Sequence, residues 1–456
     1  MLGNAPIGKL LFKLSVPTVA AQLVNLLYNI VDRIYIGHMP EVGSLALTGV
    51  GVCLPIIIVV SAFAALAGSG GAPRSSIFMG RGDKESAEKT MGACACLLII
   101  VSLVLTGLLL VFGKRLLLSF GASKNTIEYA SAYLSVYACG TLFVQLTLGM
   151  NAYITAQGFT SVSMKTVLIG ALLNIVLDPI FIFGFKMGVV GAALATVMSQ
   201  AVSCIWVLRF LTGEKTVLRL RKAHLRLDRK LLPPCVALGL APFIMQSSES
   251  IISVAFNSSL LQYGGDLAVG AMTILTSVMQ FAMMPPQGFA QGAQPILSYN
   301  FGARNAARVK KTLRLLIAVC LSYSVALWVA IMLRPQFFVS LFTSDAALLP
   351  YASAMLRVYY AGMIFFGIQM ACQMTFISLG NAKASITVAI VRKFVLILPL
   401  IYIMPRLVSD KAMGVFLAEP VSDFSAVIFT TVLFFFQFRK AMRSIENEQH
   451  KGQTEY

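Results

Sequence analysis

The stretch from Leu14 to Gly37, LSVPTVAAQLVNLLYNIVDRIYIG, decides the fold, because it is apolar and long enough to cross a bilayer yet carries Asp32 near one end. At about 100° per residue, Gln22, Asn25, Asn29 and Asp32 fall within roughly one quarter of the helix circumference. An acid inside the membrane costs about 2.5 to 3.5 kcal/mol on insertion scales, so this polar stripe should face protein or water. Asp32 is therefore expected to be a carboxylate on an ion path or, alternatively, a structural acid paired with a neighbouring base.

The composition is that of a polytopic membrane protein. Of the 456 residues, 58% are hydrophobic and 12% are charged, whereas a soluble domain carries about 25% charged residues. One helical span needs about 20 predominantly apolar residues. We predict an all-α membrane protein with twelve transmembrane helices, at residues 10–37, 45–79, 88–113, 126–152, 161–185, 188–212, 231–262, 267–300, 307–333, 346–378, 386–407 and 414–438.

The basic residues lie in short segments between the predicted spans. Lys and Arg number 36 against 18 Asp and Glu, but they do not form one soluble face, so no nucleic-acid partner is expected. By the positive-inside rule, the richly basic segments, which include residues 209–230 and the group Lys383, Arg392 and Lys393, are expected to be cytoplasmic. Both termini would then lie inside a multi-pass protein of the inner (plasma) membrane. The eight cysteines lie in or beside apolar runs and are expected to be core residues.

The chain contains an internal repeat. The segment Tyr129–Tyr137, YASAYLSVY, returns as Tyr351–Tyr359, YASAMLRVY, and further pairs such as Pro73 and Pro295 follow at the same offset. This predicts a tandem duplication, with an N-terminal six-helix bundle at 1–212, a basic cytoplasmic linker at 213–230 and a C-terminal six-helix bundle at 231–456. Because six is even, both copies enter the membrane in the same direction, and we expect two bundles related by a pseudo-two-fold axis along the membrane normal.

A second polar group lies in predicted spans 5 and 6. Asn174 and Asp178 are four residues apart and share a helix face, and Pro179 removes a backbone donor from the same turn. Thr196 lies among small residues in the next span. Oxygen ligands of this kind suit a hard cation, so Asp32, Asn174, Asp178 and Thr196 are the candidate coupling-ion site. The alternative is that Asn174 and Thr196 only tie helices together.

The second half does not repeat these acids. Glu249 is expected to face the substrate cavity as a cation contact or a second proton site, or else to be a structural acid. The other candidates for lining the cavity are polar or polarizable side chains: Gln22, Asn29, Asn257, Gln280, Gln287 and Met283. Glu419 and Asp423 are expected at the membrane interface, because Pro420 suits the first turn of a helix.

These features together resemble a bacterial member of the multidrug and toxic compound extrusion (MATE) family. The resemblance covers essentially the whole chain. It is carried by Pro17, by Tyr28–Gly37 (YNIVDRIYIG), by Gly80-Arg-Gly82, by Asn174–Pro179 (NIVLDP), by Gly188–Ala193 (GVVGAA) and by Ala418–Asp423 (AEPVSD).

The resemblance implies an efflux antiporter that exchanges H⁺ or Na⁺ for bulky, often cationic drugs, without a cofactor. It places the coupling ion near Asp32, Asn174, Asp178 and Thr196. Some branches of the family also carry an acid in span 10, where this chain has Gln369 and Gln373. A second-half ion site would therefore depend on Glu249 alone.

Two other functions stay open at this point, and a monomer is expected in each case. A flippase for a lipid-linked precursor would need cationic residues along its cavity to hold a pyrophosphate, whereas most intramembrane charges here are acidic. A polytopic membrane enzyme would need a catalytic pair. The only histidines are His38, His224 and His450, with none at metal-binding spacing, although Asp32 and Asp178 could in principle form an aspartyl dyad. We expect a transporter and not an enzyme.

Overall fold

The computed structural model describes residues 1–40 and 42–454, with side chains described up to residue 447. Six long helices form the first half: α1 (Ile7–Gly37), α2 (Gly43–Gly80), α3 (Lys84–Ser119), α4 (Ile127–Ala156), α5 (Thr160–Pro179), which continues as a π-helical turn at Ile180–Gly184, and α6 (Gly188–Thr212). A linker with one short 3₁₀ turn at Lys222–His224 follows.

The second half begins with α7 (Leu232–Gly302), which is interrupted at Gly265, where φ is 63° and ψ is −162°. The remaining helices are α8 (Ala306–Leu333), α9 (Pro335–Ser340), α10 (Leu348–Tyr359), α11 (Phe366–Ser378), α12 (Ala382–Ile390), α13 (Leu398–Leu407) and α14 (Lys411–Thr454). A 3₁₀ turn at Ala361–Phe365 joins α10 to α11, and a π-helical segment at Val391–Ile397 joins α12 to α13.

Within the described residues, eleven helical stretches are long and apolar enough to cross a membrane. One of them is α7, which Gly265 divides into two spans, so the prediction of an all-α protein with twelve spans is confirmed. The helix starts also repeat. To within a single position, the offset that carries Tyr129 onto Tyr351 relates Gly43, Lys84, Ile127, Thr160 and Gly188 in the first half to Gly265, Ala306, Leu348, Ala382 and Lys411 in the second.

The duplication extends to backbone conformation. Gly82 and Arg304 both have a positive φ, of 81° and 58°. The residue after each caps the next helix: the Asp83 carboxylate accepts a hydrogen bond from the Ser86 backbone N–H, and the Asn305 side chain accepts one from the Arg308 backbone N–H. Such caps satisfy backbone donors that a helix start leaves open. The same repeat offset separates Gly82 from Arg304, Asp83 from Asn305 and Ser86 from Arg308.

The described residues pack into two compact units. One runs from Lys13 to Gln246, and the other combines Met1–Phe12 with the chain from Ser247 onward. The predicted borders at 1–212, 213–230 and 231–456 stay a prediction. The packed units differ from those borders because the first twelve residues pack with the second half and the start of α7 packs with the first.

Helix α4 is the centre of the unit from Lys13 to Gln246, where it packs against α2, α3, α5 and α6. Two polar side chains fasten it to α2. The Gln145 side-chain amide donates to the Val60 carbonyl at 2.6 Å, and the Tyr153 hydroxyl donates to the Ala67 carbonyl at 3.3 Å. With four packed neighbours, α4 gives α5 and α6 a fixed support, and these two helices carry three of the candidate site residues.

Candidate functional site

Three predicted site residues on α5 and α6 are joined by hydrogen bonds. The Asn174 amide nitrogen donates to Asp178 Oδ1 at 3.3 Å and to Thr196 Oγ1 at 3.4 Å. The side chains are buried, with exposures of 1%, 0% and 9% for Asn174, Asp178 and Thr196. Residues 174 and 178 are one turn apart on α5, so they meet on one face, and the small residues that open α6 let Thr196 approach.

The fourth predicted residue, Asp32 on α1, lies beside this group. Its carboxyl group and that of Asp178 are close enough to interact directly. Two carboxylates at such a distance repel one another unless a proton or a cation lies between them. The structure thus brings all four predicted site residues together within the unit that runs from Lys13 to Gln246.

The group presents more acceptors than donors. Asp32 Oδ1, Asp178 Oδ2 and Asn174 Oδ1 are buried and have no hydrogen-bond partner among the described residues. Buried polar atoms are nearly always paired, so these three acceptors suit a proton, a cation or a water. In the described part of the chain, no group of three or more His, Cys, Asp and Glu side chains is arranged so that it could hold a metal ion. Two carboxylates with neutral oxygens fit a proton or a monovalent hard cation.

The helix carrying Asp178 changes its winding directly after that residue. Pro179 has no N–H to donate, and the following five residues, Ile180–Gly184, wind as a π-helical turn that ends when the Phe185 N–H donates to the Ile180 carbonyl at 2.8 Å. π-Helical turns are rare and occur frequently at functional sites. The sequence predicted the effect of the proline on this turn but not the π winding.

Tyrosines around the acid pair were missed by the sequence argument. The hydroxyl of Tyr133, on α4, contacts Thr196, its ring stacks on that of Tyr137 at 6.5 Å, and Tyr28 on α1 lies near both acids. Tyr133 and Tyr137 belong to the segment that revealed the repeat. A comparison of the two copies could have singled out Tyr133, because the second copy has Met355 at the equivalent position.

A cavity of about 90 Å³ adjoins this group. Its polar lining comes from α1, α4, α5 and α6, namely Asn25, Tyr28, Thr147, Asn151, Thr166, Asn174, Thr196, Ser199, Gln200 and Ser203. Three further buried atoms in this lining, on Asn151, Ser199 and Gln200, have no hydrogen-bond partner among the described residues. A space of this size holds several waters or an ion with part of its hydration shell. Pockets that take drug-sized ligands are much larger, with volumes of roughly 300 Å³ or more.

Of the predicted cavity residues, Gln22 and Asn29 share α1 with Asp32 but do not line this space. The Asn29 amide donates to the Asn25 carbonyl at 2.6 Å, and Asn25 lines the cavity instead. Glu249, Asn257, Gln280, Gln287 and Met283 are all on α7 within the other packed unit, and Met283 packs against its core. The roles assigned to these residues stay predictions.

The protein-family model described as MatE matches residues 17–180 and again residues 241–403. The chain belongs to the MatE family. The same family model matches each half of the chain once, which agrees with the internal repeat found in the sequence. Since MatE proteins are transporters, the expectation of a membrane transporter is confirmed at the level of the family.

Curated relatives of this MatE chain are multidrug export proteins. It is 25% identical to the multidrug export protein MepA of Staphylococcus haemolyticus, over 93% of each chain. It is also 25% identical to MepA of Staphylococcus aureus, over 94% of this chain and 95% of that protein.

Solved structures show the same fold. A MATE structure in the bent conformation matches with a TM-score of 0.91 at 24% identity, over 97% of this chain and 98% of the other. An outward-facing multidrug resistance MATE transporter matches with a TM-score of 0.89, also at 24% identity, over 96% and 97%.

The second half of this MatE chain differs from the sequence-based expectation in its charges. Arg392 and Lys393 were expected in a cytoplasmic segment, but this was wrong. Both are buried within the span formed by α12, the π-helical segment and α13, with exposures of 8% and 9%. Arg392 donates to Asp423 Oδ1 at 3.2 Å, and Lys393 donates to Glu249 Oε1 at 2.5 Å. The predicted span 386–407 already contained both residues, but their charges were assigned to a basic segment between spans.

The reason given for an interfacial position of Glu419 and Asp423, a helix that starts at Pro420, was wrong. Helix α14 begins at Lys411, so Pro420 lies inside the helix and not in its first turn. Asp423 is 4% exposed and is paired with Arg392. The helix continues through Pro420 because its neighbours supply packing that the local sequence does not reveal.

Proposed function

We propose that this chain is a multidrug efflux antiporter that exports bulky, amphipathic and often cationic compounds in exchange for H⁺ or Na⁺. The observation that carries the proposal is the pair of adjacent carboxyl groups, Asp32 and Asp178, with free buried acceptors beside a small polar cavity. The match of the MatE model and the names of the MepA relatives support the export of drugs.

In the proposed cycle, the coupling ion stabilises one conformation of the transporter and the drug stabilises the other. A proton or Na⁺ between Asp32 and Asp178 removes the repulsion of two adjacent negative charges and so stabilises the ion-bound state. Asn174 orients the oxygens by donating to Asp178 and Thr196. Binding of the ion bends α1, whose interior contains Pro17, and the drug is released. Alternating access then returns the transporter to bind drug from the inside.

The membrane potential supplies part of the driving force. For each elementary charge moved net, 100 mV supplies about 2.3 kcal/mol, which corresponds to roughly 50-fold accumulation. We also propose that the protein is a monomer in the inner (plasma) membrane with both termini cytoplasmic. The topology is supported by the exposed bases of the linker, such as Lys222, Arg226 and Arg229.

A direct test uses purified protein in vesicles, with dye efflux measured under a pH gradient alone and then under a Na⁺ gradient alone. We expect one of the two gradients to drive efflux, and Asp32→Asn to abolish it at unchanged expression. Glu85→Gln, which removes an exposed acid on α3, is the matched control and should transport normally. If neither gradient drives efflux, or if Asp32→Asn transports as well as the unmodified chain, the antiport proposal is wrong.

The flippase alternative is less well supported by the second half. A pyrophosphate would need free cationic groups, yet in the described part of the second half both buried bases are paired with acids, Arg392 with Asp423 and Lys393 with Glu249. Measurement of lipid translocation in the same vesicles separates the two functions.

A further inference from the structure

Two buried cysteines lie next to each other where α7 begins. Cys94 is on α3 and Cys235 is in the first turn of α7, and their sulfur atoms are close enough for a hydrogen bond. Both thiols are free, with side-chain exposures of 0% and 1%. The two residues belong to the same packed unit, which runs from Lys13 to Gln246. The proposed function leaves this pair without a role.

Two consecutive glycines on α2 make the contact possible. A methyl group at Gly70 would overlap the backbone carbonyl of Cys235, and one at Gly71 would lie 2.6 Å from the Cys94 sulfur. Small residues of this kind let membrane helices approach closely. A disulfide forms only between cysteines that already face each other at short range. The packing of α2, α3 and the start of α7 therefore meets the first condition for a disulfide.

A base and a hydroxyl complete the thiol cluster. The Arg74 side chain contacts the Cys235 sulfur, and the Tyr153 hydroxyl contacts the Cys94 sulfur. The buried Nε of Arg74 has no hydrogen-bond partner among the described residues. The thiolate is the form of cysteine that reacts with oxidants, and a neighbouring guanidinium stabilises it. Cys235 is therefore the thiol that should react first.

The linker between the halves is fastened to α3 close to this cluster. Glu88, less than two turns before Cys94, is 4% exposed and accepts from Arg221 Nε at 3.0 Å. A methyl group at Gly92 would overlap the backbone of His224. The docked linker thus shields the pair from bulky reagents, so the oxidant that suits this place is a small one such as hydrogen peroxide.

We propose that Cys94 and Cys235 are a peroxide-reactive dithiol whose disulfide ties the start of α7 to α3. The Cys235 thiolate attacks one oxygen of hydrogen peroxide, the O–O bond breaks, and a sulfenic acid forms. The hydroxide that leaves takes up the thiol proton and becomes water. The Cys94 sulfur then attacks the sulfenic sulfur, the S–S bond forms, and a second water leaves. Two thiols and one peroxide thus give one disulfide and two waters.

The disulfide closes a covalent ring that contains the whole linker. Exposed bases lie between the two cysteines in the sequence, and they include Lys222, Arg226 and Arg229. A protease cut at one of them divides the chain into two parts that only the disulfide still joins. The inference goes beyond the proposed function, because neither acid of the candidate ion site takes part in it.

The test exposes the purified full-length chain to hydrogen peroxide, removes the peroxide with catalase and cuts the linker by limited trypsin digestion. The remaining thiols are then blocked with N-ethylmaleimide in denaturant. We expect the two halves to migrate together on a non-reducing gel and to separate when dithiothreitol is added. Without peroxide they should separate at once. Mass spectrometry of a complete digest should recover the α3 peptide joined to the peptide that begins α7.

Single variants decide which cysteines form the bond. After peroxide, the halves of Cys94→Ala and of Cys235→Ala should separate. Cys96→Ala is the matched control, because Cys96 lies on the same helix and is more exposed than Cys94, and its halves should stay joined.

The inference is overturned if the halves of the unmodified chain separate after peroxide, if they stay joined in either Cys94→Ala or Cys235→Ala, or if they separate in Cys96→Ala. None of these measurements uses dye efflux, so a negative result here and a failure of the antiport proposal are told apart.

Discussion

The Asn174 amide nitrogen lies 3.3 Å from Asp178 Oδ1, one helical turn away, and donates a hydrogen bond to it. The same nitrogen also donates to Thr196 Oγ1 on the next helix. This amide is the donor that holds the acceptors of the candidate ion site in place. Carboxylate orientation in this site therefore depends on a neutral side chain.

Replacing Asn174 with Ala should weaken ion-driven efflux strongly while the protein still folds. Asp178 Oδ1 and Thr196 Oγ1 would lose their shared donor in a buried place, and such a loss costs about 1 to 3 kcal/mol. We expect the ion concentration for half-maximal efflux to rise roughly tenfold or more, measured in vesicles with a graded ion gradient. Asn125→Ala, which removes an exposed amide in the loop before α4, is the control. Equal effects of the two variants would contradict the assigned role.

The capping residues Asp83 and Asn305 predict a difference in pH dependence between the halves. Hydrogen bonds from the hydroxyl and the backbone N–H of Ser86 lower the pKa of Asp83. Because the folded state then binds fewer protons than the unfolded one, the stabilisation is complete above the ordinary Asp pKa of about 3.9 and is lost as the pH falls below it. Asn305 accepts the equivalent bond without a titrating group.

Asp83→Ala and Asn305→Ala should each lower the free energy of unfolding by up to about 1 kcal/mol at neutral pH. Thermal unfolding in detergent from pH 6 to pH 3 would measure both. The effect of Asp83→Ala should shrink at the acidic end, whereas that of Asn305→Ala should not. Asp83→Asn keeps the acceptor and should remove the pH dependence; a pH profile like that of the unmodified chain would contradict this account.

The break in α7 requires glycine. Gly265 has φ 63° and ψ −162°, a conformation that is essentially restricted to glycine. Gly265→Ala should lower the free energy of unfolding by about 1 to 3 kcal/mol, measured by thermal unfolding followed by circular dichroism. Gly270→Ala, five residues further on, places its new methyl at an ordinary 3.6 Å from Leu348. This control should be neutral or slightly stabilising, and a Gly265 variant of the same stability would refute the requirement.

The local sequence predicted the helical spans well because the position of a span depends on one strong effect, the exclusion of unpaired polar backbone and of charge from lipid. The repeat was also visible, since Tyr129–Tyr137 and Tyr351–Tyr359 retain their letters. The candidate group of Asp32, Asn174, Asp178 and Thr196 could be proposed because unpaired polar residues inside a span are conspicuous. Its tyrosines could not, because Tyr28 and Tyr133 resemble ordinary amphipathic core residues until their neighbours are known.

The sequence by itself determined an all-α membrane protein made of two related halves, and it indicated which acids lie inside the first. Hydropathy and internal repetition are properties of the chain, so neither needs a partner segment to be recognised. Only the tertiary structure decided which charges meet. Lys393 lies 144 residues from Glu249 along the chain and Arg392 lies 31 residues from Asp423, and a π-helical turn directs both bases inward. The energy of a buried charge depends on the distance to its counter-charge, and that distance exists only after the helices have packed.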